Sequence, residues 1–492
     1  MNVIRESNQN YLNLLNQNLR NNTPVRFMKY LIIVDVDNGK AILNTLTRAF
    51  IWIPNDQWAS AFKDENSDIF KWLWNNYFLV NDNFDERSRL DYIRETLKPK
   101  CDNPNYLRRG QITEFTIFTT MACNARCFYC YEKGRPQVPM KASTAHKVAD
   151  YIVSYAAKDG RNIELRWFGG EPLVNENVID IICKEVQDAG FNYTSEITSN
   201  GFLYKADKID KYHNLWHLKS TQITIDGTEE VYNKTKNYKN IKGASPYQVV
   251  CNNIKMLADN NIFVSIRMNL DQYNAENIKE LIKELYTKFG NHNHIALYNY
   301  PIFEDPEHPR TDEEKEKLYA KLLEADETLA KYGFYRPREH GPELRVTHCM
   351  IDNGHAVVIG TQGDIGLCEH YSETEFWSHI DNPTKRDNEI IKKFQEHMPL
   401  LDICDDCPIA PNCIRVKMCQ DLRNCNIWKR EWEVKQATDG TRNMYYNWLG
   451  EVMRQNNQPQ IQQNDQQENQ NNKQEEPKEN NFLRKTFNYF FK

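Results

Sequence analysis

From residue 112 to 300 two kinds of apolar pattern alternate along the chain. Short runs rich in β-branched and aromatic residues predict strands at 115–119, 163–168, 195–198, 221–225, 263–269 and 295–300. Between them lie stretches of helical period, one carrying Val178, Ile181, Ile182 and Val186, another Val250, Ile254 and Leu257. Strand–helix alternation implies parallel strands joined by right-handed crossovers. Six such units predict an α/β fold, an open (β/α)6 barrel. Active loops of parallel barrels lie at the carboxyl ends of the strands.

The flanks follow other patterns. Leu31-Ile-Ile-Val34 precedes an Asn38-Gly39 turn, with Ala41-Ile-Leu43 and Phe50-Ile-Trp-Ile53 behind it; this predicts a hairpin-containing sheet. Helical patterns at 56–62 and 68–77, a strand at 78–80 and a stripe of Leu90, Ile93 and Leu97 complete a small α+β unit. After a charged helix at 311–332, cysteines crowd the chain up to residue 425. Residues 455–474 hold fifteen Asn or Gln, a disordered tether by composition that ends in the apolar–basic tip Phe482–Lys492. The expected division is an extension (1–29), a small domain (30–105), the barrel (106–335), a Cys-rich domain (336–453) and a tail (454–492).

Composition narrows the function classes. A length of 492 residues favours several domains, and a net charge of −6 gives no reason to expect a nucleic-acid partner. No run of 18 apolar residues predicts a membrane span, although the tail's tip suits a membrane surface or a docking partner. The Asn-rich start lacks the apolar centre of a signal peptide, so the cytoplasm is expected. Thirteen cysteines, an odd number, argue for metal ligation over disulfides.

The candidate chemistry is densest at Cys123-Asn-Ala-Arg-Cys127-Phe-Tyr-Cys130, just after the first barrel strand. A loop this short can turn three thiols to one point. Iron–sulfur cubanes normally take four, so such a loop leaves one iron open to a small molecule; a zinc site is the alternative. The spacing C-x3-C-x2-C, with Tyr129 before the last Cys, resembles the radical SAM enzymes. In that family the open iron of a [4Fe–4S] cluster binds S-adenosylmethionine, and reduction releases a 5′-deoxyadenosyl radical.

Further motifs fall at the ends of successive strands. Gly169-Gly170-Glu171-Pro172 resembles the loop that meets the amino group of the methionine moiety, and adjacent glycines allow close backbone approach to a ligand. Taken alone it also reads as a strand-to-helix turn with a capping Glu. Thr198-Ser199-Asn200-Gly201 resembles the family's T-x-N-G, in which Ser199 and Asn200 can bond ribose hydroxyls; alone it is an ordinary Asn-Gly turn. Ile225-Asp226-Gly227 is followed by Tyr232 and Lys236, where relatives usually carry His and Arg; Lys236 keeps a charge but loses the bidentate fork. Arg267 and Asn269 alternate with apolar neighbours and would project into the barrel.

Cys349, Cys368, Cys404, Cys407, Cys413, Cys419 and Cys425 resemble the SPASM domain, which carries auxiliary [4Fe–4S] clusters in peptide- and protein-modifying enzymes. The gap from Cys413 to Cys419 is longer than the family's, and zinc remains the alternative. By resemblance Cys404, Cys407, Cys413 and Cys425 would hold one cluster, and Cys349, Cys368 and Cys419 the other. Glu369 stands where sulfatase-maturing relatives carry an Asp and is the candidate proton acceptor; a surface Glu is the other reading. The small domain resembles the winged-helix recognition domain of peptide-modifying members. The resemblance implies maturation of a ribosomally made precursor peptide by a thioether or carbon–carbon cross-link, with reduction by ferredoxin or flavodoxin. A formylglycine-forming sulfatase maturase and an iron–sulfur scaffold without turnover are the rival readings. Strands at 30–36 and 50–53 would offer an edge to which the substrate adds, so residues 1–105 bind and 112–425 react.

Overall fold

Each strand of the barrel separates its two faces by residue type. In β8 (Ile163–Gly169), Ile163, Leu165 and Trp167 are buried under helices, while Glu164, Arg166 and Phe168 turn to the other side. The computed structural model describes residues 1–456 apart from 17, 101–102, 104–105, 240, 242, 305–306, 335–340, 348, 372–373 and 420–424. Cys101 and the Asn/Gln-rich tail with its Phe482–Lys492 tip thus lie outside the described residues.

The N-terminal unit holds β1 (Asn2–Arg5), β2 (Val25–Phe27), β3 (Leu31–Val36), β4 (Gly39–Asn44), β5 (Phe50–Pro54) and β6 (Leu79–Asn81). Four of these form a sheet in the order β1-β5-β4-β3, and β2 pairs with β6. Within the expected extension, then, Asn2–Arg5 lies antiparallel on β5. This corrects one expectation: β5 is not a free edge, because the chain's own N-terminal strand covers it. The edges of this sheet are β1 and β3. Thr45 N–H donates to Tyr30 O at 3.0 Å beside the Leu31–Asn44 pair, which makes that pair non-hydrogen-bonded. By alternation, the N–H groups of Ile33 and Asp35 point away from β4.

The barrel strands are β7 (Glu114–Thr120), β8, β9 (Tyr193–Ser199), β10 (Leu218–Thr224), β11 (Phe263–Leu270) and β12 (Ile295–Pro301), all mutually parallel. Beyond β7 the sheet continues through β13 (Ala356–Ile359), β14 (Asp364–Gly366) and β15 (Ser378–His379), giving the order β12-β11-β10-β9-β8-β7-β13-β14-β15. The first strand of the barrel is therefore an interior strand of a nine-stranded sheet, and the Cys-rich region is joined to it by a parallel ladder.

Two large cores result. One fills the space between barrel and outer helices. The other joins Leu43, Phe50, Leu73 and Ile93 of the N-terminal unit to Cys404, Cys407, Ile409 and Tyr445. The N-terminal unit and the Cys-rich region thus bury one another.

Candidate functional site

The loop Cys123–Cys130 leaves the carboxyl end of β7 and is pinned from a neighbouring helix. Arg126 N–H donates to Lys236 O (2.8 Å) and Lys239 N–H to Asn124 O (3.0 Å). Burial pushes the Cys123 thiol up to about 12; an N–H from Ala125 opposes this, while Glu171, Cys127 and Cys130 add to it. The three sulfurs therefore sense one another through space. Among the described residues no three His, Cys, Asp or Glu side chains stand as a ready single-ion site. Thiolates of a cubane bind different irons and stand farther apart, and thiols with raised pKa need cationic metal to ionise.

Glu171 organises the floor of this loop. It is fully buried and accepts from Ser199 Oγ (2.9 Å), Leu173 N–H (3.2 Å) and Asn200 N–H (2.7 Å). Its oxygens and the Ser199 hydroxyl are thus engaged within the protein, and Pro172 is buried with them. The two glycines answer a packing need. Gly169 has φ +134°, and a Cβ there would meet Thr120 O at 2.1 Å; one on Gly170 would meet Met121 O at 2.6 Å. They let β8 close on the backbone that launches the cysteine loop, so the close approach read from the sequence is to β7 itself.

Asn200 Nδ2 donates to Asn124 Oδ1 at 2.6 Å, while Asn124 Nδ2 is buried without a partner among the described residues. An orphan donor beside Cys123 fits a polar ligand there. On the other wall, Tyr129 Oη meets Asp226 Oδ2 at 2.5 Å, Lys236 Nζ at 2.9 Å and Asn269 Nδ2 at 3.3 Å. Burial pulls the Lys236 ammonium down, but Asp226, then Tyr129 and Cys127, outweigh it and hold it well above its ordinary value. Arg267 Nε donates to Asn269 Oδ1 at 2.7 Å, and its guanidinium lies 4.8 Å from the centroid of the Tyr300 ring. The structure thus brings together every barrel residue singled out above. Asp226 and Asn124 join them. Asp226 was signalled by its place at a strand end; Asn124 by nothing in its local pattern.

Cys183 and Cys251 are buried in the barrel's core, and the cysteines of the Cys-rich region sort into two groups. Burial raises Cys368, followed by Glu369, Cys349 and Cys419. Burial also pushes Cys413 and Cys425 up to about 12 and Cys407 to about 11. Glu433 is the leading charge on Cys413 and Cys425, and Cys404, Cys407, Cys413 and Cys425 act on one another. The turn after Cys368 docks on the first site: the His370 ring is 4.4 Å from that of Tyr131, and Arg135 Nη2 donates to His370 O at 2.7 Å. Glu369 acts electrostatically on Tyr131, whose buried hydroxyl has no partner among the described residues.

Residues 117–285 match the Radical SAM superfamily. This stretch is the central part of the partial barrel, whose sheet continues into the Cys-rich region. An uncharacterized protein of Methanocaldococcus jannaschii is 26% identical over 54% of this chain and 88% of its own length. The sporulation killing factor maturation protein SkfB of Bacillus subtilis is 23% identical over 34% of this chain and 38% of its own. A GTP 3′,8-cyclase of Clostridium perfringens is 28% identical over 36% and 52%. The chain therefore spans about half or less of the last two proteins. Among the described residues no helix is long and apolar enough to cross a membrane.

Proposed function

We propose that this chain is a radical SAM maturase that modifies a precursor peptide or protein, taking electrons from a ferredoxin- or flavodoxin-like donor. One observation carries the reading: the Tyr131–His370 contact sets the Cys368 group beside the cysteine loop, so one substrate can meet both. Likeness to a protein named for maturation of a sporulation killing factor supports it.

Cys123, Cys127 and Cys130 would hold the cluster that binds S-adenosylmethionine. With both bound, that site supplies hydrogen abstraction by a 5′-deoxyadenosyl radical. The chain's own residues arrange the surroundings. Glu171 fixes Asn200 through its backbone N–H, and Asn200 with Asn124 offers polar groups to the ligand. The Tyr129–Asp226–Lys236–Asn269 network holds the opposite wall, and Arg267 is tied to it through Asn269. Cys404, Cys407, Cys413 and Cys425 would hold a second cluster, and Cys349, Cys368 and Cys419 a third. Glu369, which follows Cys368, would accept a proton from substrate.

Anaerobic reconstitution should give roughly twelve irons per chain. The reduced protein should release 5′-deoxyadenosine, and a Cys123/Cys127/Cys130 triple Ala variant should not. Offered a precursor peptide encoded beside the gene and GTP in parallel, it should alter only the peptide's mass. Consumption of GTP with an unchanged peptide would make it a cyclase instead.

A further inference from the structure

Arg94 carries its charge into the interface between the N-terminal unit and the Cys-rich region. It lies on the helix Glu86–Leu97 and is 8% exposed. Its Nη2 donates to Ala410 O (2.9 Å), Pro411 O (2.9 Å) and Cys413 O (2.7 Å), and its Nε to Arg345 O (3.2 Å). All four acceptors are neutral carbonyls. Among the described residues no carboxylate stands at ion-pair distance; the negative groups that act on it are, in order, Cys413, Asp91, Tyr30 and Cys404. A buried cation without an anionic partner is strongly disfavoured.

A second observation shows what would compensate it. Two further arginines stand at the same loop: Arg430 Nη1 donates to Ile403 O (2.8 Å), next to Cys404, and Arg415 is buried two residues from Cys413. Such a collar suits an occupant that is itself negative, as four thiolates around a cubane are. The N-terminal unit also grips the loop elsewhere, through Thr45 Oγ1 on Pro408 O (2.7 Å), Arg87 on Asp405 (2.7 Å) and Lys29 on Asp406 (3.1 Å).

We propose that Arg94 is the buried counter-charge and positioning residue of an iron–sulfur cluster held by Cys404, Cys407, Cys413 and Cys425, so that docking of the N-terminal unit and occupancy of that cluster stabilise each other. The inference rests on the cluster assignment above. Reciprocity follows from linkage: whatever binds the docked form more tightly favours docking.

Arg94→Gln and Arg94→Lys are compared with the unmodified chain after anaerobic reconstitution, by iron content and by spectroelectrochemical titration. Removing a nearby positive charge disfavours the reduced, more negative cluster, so Arg94→Gln should move one midpoint to a more negative potential. Arg94→Lys should keep it. In the unmodified protein, iron loading should slow amide exchange in Glu86–Leu97, a helix without cysteine, by about tenfold. That measurement decides the matter if the Gln variant does not fold. Equal midpoints in all three proteins, equal shifts in both variants, or exchange indifferent to iron would overturn the proposal. Iron content unchanged when the four cysteines become Ala would overturn the cluster assignment first, and the proposal with it.

Discussion

Lys236 Nζ lies 2.9 Å from Asp226 Oδ2, in a pair whose side chains are 3% and 0% exposed. Both ions also reach Tyr129, which sits between two of the loop's cysteines. A buried pair of this kind contributes little net stability but is costly to break, because the survivor is left charged and alone.

Lys236→Met should accordingly lower unfolding stability by about 3–5 kcal/mol. Lys236→Arg should recover only part of it, since a planar guanidinium does not reproduce the contacts of a compact ammonium with Asp226 and Tyr129. Denaturant unfolding of the two variants checks this; a Met variant as stable as the parent would show the pair to be solvated.

Glu164 and Glu196 give the fold a pH dependence of its own. Burial raises both; Glu164 raises Glu196 further, to about 8, while Glu114 adds to the rise at Glu164 and a hydrogen bond with Glu196 opposes it. The native state therefore holds a proton that the unfolded chain releases above about 4.5. Stability from this source is full below that value and is lost as pH rises through about 8. Glu196→Gln should flatten the stability-against-pH curve across that window; an unchanged slope would place the proton elsewhere.

Of the two edges of the N-terminal sheet, β3 is the one that the sequence marked for an added substrate strand. Ile33 is 39% exposed and its N–H points away from β4. Ile33→Pro should leave the β3–β4 ladder and 5′-deoxyadenosine release intact while weakening precursor binding at least tenfold, as measured by titration calorimetry. Undiminished binding would direct attention to the β5 edge, where β1 would first have to be displaced.

Glu369→Gln separates radical generation from proton removal. If Glu369 takes the substrate's proton, modification should slow by roughly 10²-fold or more while 5′-deoxyadenosine release persists. Parallel loss of both would mean that the residue only supports the Cys368 turn.

The barrel was largely legible in the sequence. The run predicted at 115–119 lies within Glu114–Thr120, and that at 263–269 within Phe263–Leu270, because doubly covered parallel strands write themselves as apolar runs. The pairing of β13 with β7 was not legible, since no local period reports a partner some 240 residues away. The N-terminal strand was missed for a related reason: four residues carry too little pattern to outweigh their Asn-rich neighbours. Among site residues, motif positions could be read directly. Arg94 could not, because a single Arg on a mostly polar helix looks solvated until the carbonyls it serves are seen. The same shared core makes removal of residues 1–105 a poor test of recognition, as it would uncover Cys404 and Cys407.

The position of β7 also bears on how the chain is made. Its second neighbour, β13, leaves the ribosome only after residue 359, long after β8 to β12 have emerged. Until then the strand that ends in the three-cysteine loop presents an unpaired apolar edge to the cell. Nascent chains halted between residues 301 and 355 should aggregate or recruit chaperones, whereas the completed chain should not. Assembly of the reactive loop is thereby timed by the arrival of the Cys-rich region.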